Sequence, residues 1–235
     1  MTDDSSFDSA TTRRGVLAGG LGLVGAGCLG RGESESGGSD ESDPDTRTLD
    51  AHPAGRALDA QPRLGPTPTD ATAAIVAFED PSCPRCAAFE RTTVPKIRSN
   101  LVETGQAAFV ARTIPVVYPW GEPAVHALEA TFARDEAAFW ALFHHYFENQ
   151  DDFGSDDVLD RTRQFLAAET DVDAAAVVAD AEDEAYADAV RTDLAASEAA
   201  GVSGTPTVFL FRDGQYRTRA SGSVSFDLVT RALGL

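Results

Sequence analysis

Ala73-Ala74-Ile75-Val76-Ala77-Phe78-Glu79-Asp80-Pro81-Ser82-Cys83-Pro84-Arg85-Cys86 is the stretch whose reading decides the fold. The run Ala73 to Phe78 is short, apolar and partly β-branched, which predicts a buried strand. A helix-like stretch containing Phe89 follows, so Cys83 and Cys86 fall at a strand-to-helix junction. Two cysteines so placed read as a redox pair, because the first sulfur sits over the unpaired amides of the helix's first turn. A free thiol of pKa about 8.5 is only a few per cent ionised near neutrality, whereas at a helix N-terminus the value falls to roughly 3.5 to 7.5. Cys83 is therefore the candidate nucleophile. Cys86, one turn further in, is the candidate for attack on the mixed disulfide that Cys83 forms.

Two other uses of the pair compete with this one. A structural disulfide across two intervening residues closes too small a loop to stabilise much. Half a zinc site would need two more ligands from His52, His126, His144 and His145, and the adjacent His144 and His145 project about 100° apart on a helix. No metal and no cofactor are expected on these grounds.

The chain has 235 residues, enough for one domain with a full core and ends that need not belong to it. Nineteen basic against thirty-eight acidic residues give a net charge of −19, and Lys96 is the sole lysine. Such a surface repels nucleic acid and anionic membranes, which excludes both as expected partners. The pattern resembles proteins of halophilic archaea, which are acidic and poor in lysine. An acidic disordered chain is excluded, since 43% of the residues are hydrophobic.

Residues 1–28 read as an address. Thr12-Arg13-Arg14-Gly15-Val16-Leu17 leads into a glycine-diluted apolar stretch too short to span a bilayer, resembling a twin-arginine export signal through Arg13 and Arg14. Gly25-Ala26-Gly27-Cys28 resembles a lipobox, with Gly in place of the usual Leu at its first position. Cys28 would be lipid-modified, fixing the chain to the outer face of the cytoplasmic membrane; the other reading makes it an incidental member of a Gly/Ala run. Residues 29–66, rich in Gly, Ser, Asp, Glu and Pro, are expected to form a disordered acidic linker, and 67–235 the folded domain.

Within that domain a helix is expected from Ala87 to about Glu103, kinked or restarted at Pro95, followed by a second strand over Ala107 to Arg112. From about 120 to 198 the pattern is helical. Trp140, Phe143 and Phe147 form a stripe that reads as core rather than as an aromatic cofactor box. Glu122 to Glu198 carries twenty acidic and four basic residues, read as a solvated face. Thr207 to Phe211 reads as a third strand, Asp213-Gly214 as a tight turn and Tyr216 to Ala220 as the returning strand. Ser225 is the expected N-cap of a last helix ending near Leu233. Gly204-Thr205-Pro206-Thr207 opens the third strand, with Pro206 either at a strand edge or cis in a tight loop.

A strand, Cys-Pro-x-Cys, a helix with an internal proline, a strand, a helical block, then Gly-Val-x-Gly-Thr-Pro-Thr before a hairpin and a final helix resembles the DsbA-like branch of the thioredoxin superfamily. The resemblance covers about Thr72 to Leu235. It implies an α/β, thioredoxin-like fold, a central mixed sheet flanked by helices with a helical insertion. It implies a protein thiol-disulfide oxidoreductase acting on exported proteins, with Cys83 as nucleophile, Cys86 as resolver, and a membrane redox partner of DsbB or VKOR type. It makes Pro206 the cis proline beside the pair, with Gly204 and Thr205 presenting backbone to an extended substrate segment. Pro84 and Arg85 would tune the pair, Arg85 by stabilising the Cys83 thiolate. A reductase of surface thiols, or a metallochaperone holding a soft metal through the same sulfurs, are the alternatives.

The chain departs from many such relatives in one place. Where they carry a buried acid six residues before the first cysteine, it has Ala77. Strand alternation turns Glu79 to the same face as Ala77, but at a strand end within reach of water. Either Glu79 partly replaces the missing acid as acceptor of the Cys86 proton, or it is solvated and water takes that proton.

Overall fold

The computed structural model describes residues 47–235. Arg13, Arg14, Cys28 and the linker up to residue 46 lie outside the described residues. A five-stranded sheet has the order β1-β3-β2-β4-β5, formed by Arg63–Leu64 (β1), Ala73–Glu79 (β2), Ala107–Thr113 (β3), Thr207–Arg212 (β4) and Gln215–Ser221 (β5). The central pair, β2 and β3, is parallel, with Ala73 opposite Ala107 and Glu79 opposite Thr113; β2 is antiparallel to β4. Both central strands are buried along their whole length, which is why each reads as an unbroken apolar run. The β4–β5 turn places Asp213 (φ 51°) and Gly214 (φ 71°) in the left-handed region that a two-residue hairpin requires.

The β2–β3 crossover is helix α1 (Pro84–Thr92), helix α2 (Val94–Ile97) and a π turn over Arg98–Val102. The break falls at Thr93, one residue before Val94-Pro95 restarts the helix, and the Thr93 hydroxyl donates to the Val224 carbonyl at 2.8 Å. Between β3 and β4 lies the helical insertion: α3 (Gly121–Phe132), α4 (Glu136–Glu148), α5 (Val158–Glu169), α6 (Ala174–Glu182) and α7 (Ala187–Ala199). Asp135 and Asp173 cap α4 and α6 with their side chains. Trp140, Phe143 and Phe147 all point into the core with Phe139 and Tyr146. Helix α8 (Phe226–Leu233), capped by Ser225, closes the chain.

Two apolar layers sandwich the sheet. On one face Ile75, Ala77, Phe109 and Leu210 pack with Cys86, Phe89 and the aromatic stripe of α4. On the other, Val76, Phe78, Val110, Phe209 and Phe211 pack with Leu49, Ala54 and Leu58 and with Ala196 and Ala200 near the end of α7.

That second layer corrects the expected linker, because from residue 47 it is part of the domain. Two single 3₁₀ turns, Pro53–Gly55 and Leu58–Ala60, and strand β1 lie inside the stretch read as disordered. Its few apolar residues suffice because Leu49, Ala54 and Leu58 cover a face of the sheet that no helix but α7 would otherwise shield. His52 stacks on Tyr216 at 4.9 Å and meets Phe209 and Phe211 edge-on or tilted.

A buried polar cluster fastens this segment down. Arg112 Nη1 pairs with Asp193 Oδ1 at 2.5 Å, Gln61 Nε2 donates to the same oxygen at 2.9 Å, and Arg112 Nη2 donates to the Arg56 carbonyl. Glu129 stands beside them; burial above all, then the Asp193 charge, pushes its carboxyl up to about 8. Between its ordinary value of 4.5 and about 8 the folded protein therefore holds a proton that the unfolded chain has lost, so stability falls as pH rises through that window. Glu129→Gln is expected to remove this component, leaving the variant more stable than wild type at pH 8 and flattening the slope; denaturant unfolding at successive pH values reads it out.

Candidate active site

The loop Asp80-Pro81-Ser82-Cys83 joins β2 to α1, and one carboxylate shapes it. Asp80 is fully buried, and its Oδ1 accepts from the Ser82 amide (2.7 Å) and hydroxyl (2.6 Å). Its Oδ2 accepts from the amides of Val116 (2.6 Å) and Val117 (2.7 Å), so the β3–α3 loop is tied to the redox loop. The Ser82 hydroxyl accepts from the Tyr118 amide at 3.0 Å. Gly121 is needed here: a Cβ on it would lie 2.7 Å from Asp80 Oδ1. From the insertion, Gln150 Nε2 donates to the carbonyls of Pro81 (2.7 Å) and Cys83 (2.9 Å). The loop is thus held from both sides. Val116, Val117 and Tyr118 form an exposed apolar rim beside it.

Cys83 is the N-cap of α1 and Pro84 its first residue, a position where the missing amide costs no hydrogen bond. Both cysteines are free thiols. The Cys83 thiol is lowered to about 5. Its hydrogen bond with Cys86 contributes most; burial opposes; the Thr205 side chain and the backbone amides of Cys86 and Arg85 add to the lowering. The Arg85 side chain is exposed, so its residue acts through the amide and not, as expected, through the guanidinium. Cys86 is fully buried, and burial first, then its hydrogen bond with Cys83, push its thiol far up. One turn of helix therefore separates a stable thiolate from a thiol that resists ionisation.

Thr205 faces the pair across the sheet end. Its carbonyl lies 3.4 Å from Cys83 Sγ, its peptide bond to Pro206 is cis, and Gly204 precedes it with its carbonyl taken by the Thr207 hydroxyl at 2.6 Å. The structure thus brings Cys83, Cys86, Pro84, Arg85, Thr205 and Pro206 together.

Glu79 corrects the expectation of water access. It is 0% exposed, and burial, then the charge of Glu90, raises its carboxyl well above the ordinary value. The strand does not end at the surface there, because β2 continues through Glu79 in register with β3 and Glu90 of α1 closes over it.

Asp80, Gln150 and Glu90 were not singled out from sequence. Asp80-Pro81-Ser82 is a turn signal that marks the loop, but its hydrogen bonds reach residues more than thirty positions on. Gln150 leaves no local sign. Among the described residues, no group of three or more His, Cys, Asp or Glu side chains is arranged to hold a metal ion.

The lowered Cys83 thiol carries a pH signature. With the unfolded value at 9.0 and the folded value about 5, the reduced form gains stability as pH rises through that window and loses it as pH falls through about 5. A titration of thiolate absorbance in the reduced protein is expected to show an inflection near 5 that Cys83→Ser lacks; an inflection near 9 would exclude this thiolate.

The comparisons agree with this geometry. Residues 62–221 match the thioredoxin family model. Over 155 residues the chain is 30% identical to the Na(+)/H(+) antiporter NhaA 3 of Salinispora tropica, covering 61% of this chain and 21% of that protein. Over 81 residues it is 25% identical to the probable disulfide bond formation protein D of Bacillus cereus, covering 34% of this chain and 38% of that one. The chain thus spans well under half of either relative. Among solved structures the fold is similar to oxidised BdbD from Bacillus subtilis, with a TM-score of 0.67, 22% identity, and 76% of this chain and 93% of that one covered. It is also similar to DsbA of Chlamydia trachomatis, with a TM-score of 0.61, 19% identity, and coverage of 74% and 88%. By its match over residues 62–221, its sheet order and its Cys83–Cys86 helix N-terminus, the chain belongs to the thioredoxin family.

Proposed function

We propose that this protein is a thiol-disulfide oxidoreductase that works outside the cytoplasm and passes its disulfide to exported proteins through Cys83 and Cys86. The asymmetry of the pair carries the reading: a Cys83 thiol lowered to about 5 beside a Cys86 thiol that burial pushes far up. Stabilising the reduced form makes the disulfide the stronger oxidant. The likeness to a probable disulfide bond formation protein supports the same direction.

In the disulfide form, a substrate thiolate attacks Cys83 Sγ and the S–S bond to Cys86 breaks. The bonding pair leaves with Cys86, which takes a proton from Glu79, a fully buried acid whose carboxyl is raised well above its ordinary value. A second substrate thiolate attacks the substrate's own sulfur in the mixed disulfide, and Cys83 departs as its stable thiolate. The substrate is oxidised by two electrons and the enzyme reduced; a membrane redox partner of DsbB or VKOR type would restore the disulfide. The Val116-Val117-Tyr118 rim and the backbone of Gly204 and Thr205 would receive an extended, partly apolar substrate segment. Export through Arg13 and Arg14 and anchoring through a lipidated Cys28 complete the proposal, and the acidic, lysine-poor composition suits a halophilic setting. No helix among the described residues is long and apolar enough to cross a membrane.

Cys86→Ala is expected to accumulate mixed disulfides with substrate through Cys83, whereas Cys83→Ala should trap none. Full exchange activity in a variant lacking both cysteines would overturn the reading. Arg13→Lys combined with Arg14→Lys is expected to retain the protein inside the cell, and Cys28→Ser to release it from the membrane fraction; wild-type protein recovered free and unlipidated would remove the anchor and leave the enzyme.

A further inference from the structure

Cys86 and Glu79 are both sealed from solvent, yet the chemistry proposed above requires a proton to enter and leave them in every cycle. Glu79 is flanked by Glu90 of α1, whose side chain is 3% exposed. Apart from each other, the two carboxyl groups have no hydrogen-bond partner. Burial first, then the neighbouring Glu90, raises the Glu79 carboxyl well above its ordinary value, which suits Glu79 to carry a proton here. Beyond Glu90 stands His144 of α4, its Nδ1 3.5 Å from Glu90 Oε2 and its side chain 32% exposed. The ring is held against Trp140 and Phe143, at 5.9 Å from each. Of the neighbouring ionisable groups on these helices, Arg91 donates to the Phe147 carbonyl at 3.1 Å and His145 stacks on Phe165 at 3.9 Å, while the charge of Glu148 acts on His145.

We propose that His144, a residue of the helical insertion, is the solvent end of a proton path that runs Cys86, Glu79, Glu90, His144. The inference rests on the oxidoreductase reading. When Cys86 leaves as thiolate, Glu79 gives its O–H proton to Sγ; His144 then gives its Nδ1 proton to Glu90 as water protonates Nε2, and Glu90 passes that proton on to Glu79. The electron pair moves only among sulfurs, from substrate to Cys83 to Cys86. When the enzyme is reoxidised the same protons run outward. Imidazole suits the terminus because its two nitrogens can face Glu90 and water at once. His144 acts through the two carboxyl groups and touches no sulfur.

The test is single-turnover oxidation of a reduced model dithiol peptide by the disulfide form of wild type, His144→Phe and His144→Gln, alongside alkylation of Cys83 in each reduced protein. Loss of the path is expected to slow turnover by about 10- to 100-fold, the low end of general acid–base effects, in both variants. Cys83 alkylation should be unchanged, and free imidazole added to His144→Gln should restore much of the rate. Because Gln keeps the polarity and approximate size but relays no proton between two nitrogens, a wild-type rate in His144→Gln overturns the proposal even if His144→Phe unfolds. Slowing without imidazole rescue also overturns it, since a packing defect would do that. Failure of wild type itself to oxidise the peptide would strike the oxidoreductase reading instead, which keeps the two failures apart.

Discussion

Asp80 is the constraint on which the redox loop depends. A buried carboxylate costs several kcal/mol to desolvate unless its oxygens are met by donors. Here three amides and one hydroxyl meet them at 2.6–2.7 Å. Satisfying that charge forces three pieces of chain into one arrangement: the turn before Cys83, the residues leaving β3, and the first turn of α3, where only glycine fits against the carboxylate. Cys83 then has little freedom, and the carbonyl of Asp80 takes its amide at 2.9 Å. The sulfur is consequently delivered to the open end of α1 while Cys86, one turn on, is carried under the sheet. The two sulfurs are both buried, and it is their place at or beyond the helix start, fixed by the loop, that sets them apart.

The helical insertion belongs to this site as much as the sheet does. Gln150 grips two carbonyls of the redox loop from a 3₁₀ turn just past α4, and His144 of the same helix meets Glu90. A shift of α4 would therefore change both the placement of Cys83 and the surroundings of the buried acids. The aromatic packing of Phe139, Trp140, Phe143 and Phe147 acts against such a shift, because close-packed rings resist partial displacement. The stripe that reads as plain core in the sequence thus has at its margins the side chains that touch the Cys83 loop and Glu90.

What was legible follows from range in sequence. The strands Ala73–Glu79 and Thr207–Arg212, the restart near Pro95, the Asp213-Gly214 turn and the Ser225 cap are each specified by residues within a few positions, and the structure has them within one or two residues of expectation. The linker beyond residue 46 was misread because its composition is sparse in apolar residues, and what orders it is a sheet face made from residues far along the chain. Glu79 was placed on the right face by alternation, but its burial depends on Glu90 closing over it from α1, which no strand pattern contains. Gln61, Arg112 and Asp193 meet across 81 and 132 positions and gave no sign in advance.

The acidic surface sets a condition on how the pair is tuned. With a net charge of −19, the mean field of the protein opposes a further thiolate, and exposed cations that might offset it are screened within about 10 Å at 0.1 M salt and 3 Å at 1 M. A tuning that relied on the Arg85 guanidinium would drift with ionic strength. The groups that lower Cys83 are instead the Cys86 thiol, Thr205 and two backbone amides, all acting through short-range hydrogen bonds. Short-range hydrogen bonds of this kind keep their strength when longer-range charge effects are screened, so the thiolate can persist on a strongly acidic protein across a wide range of salt.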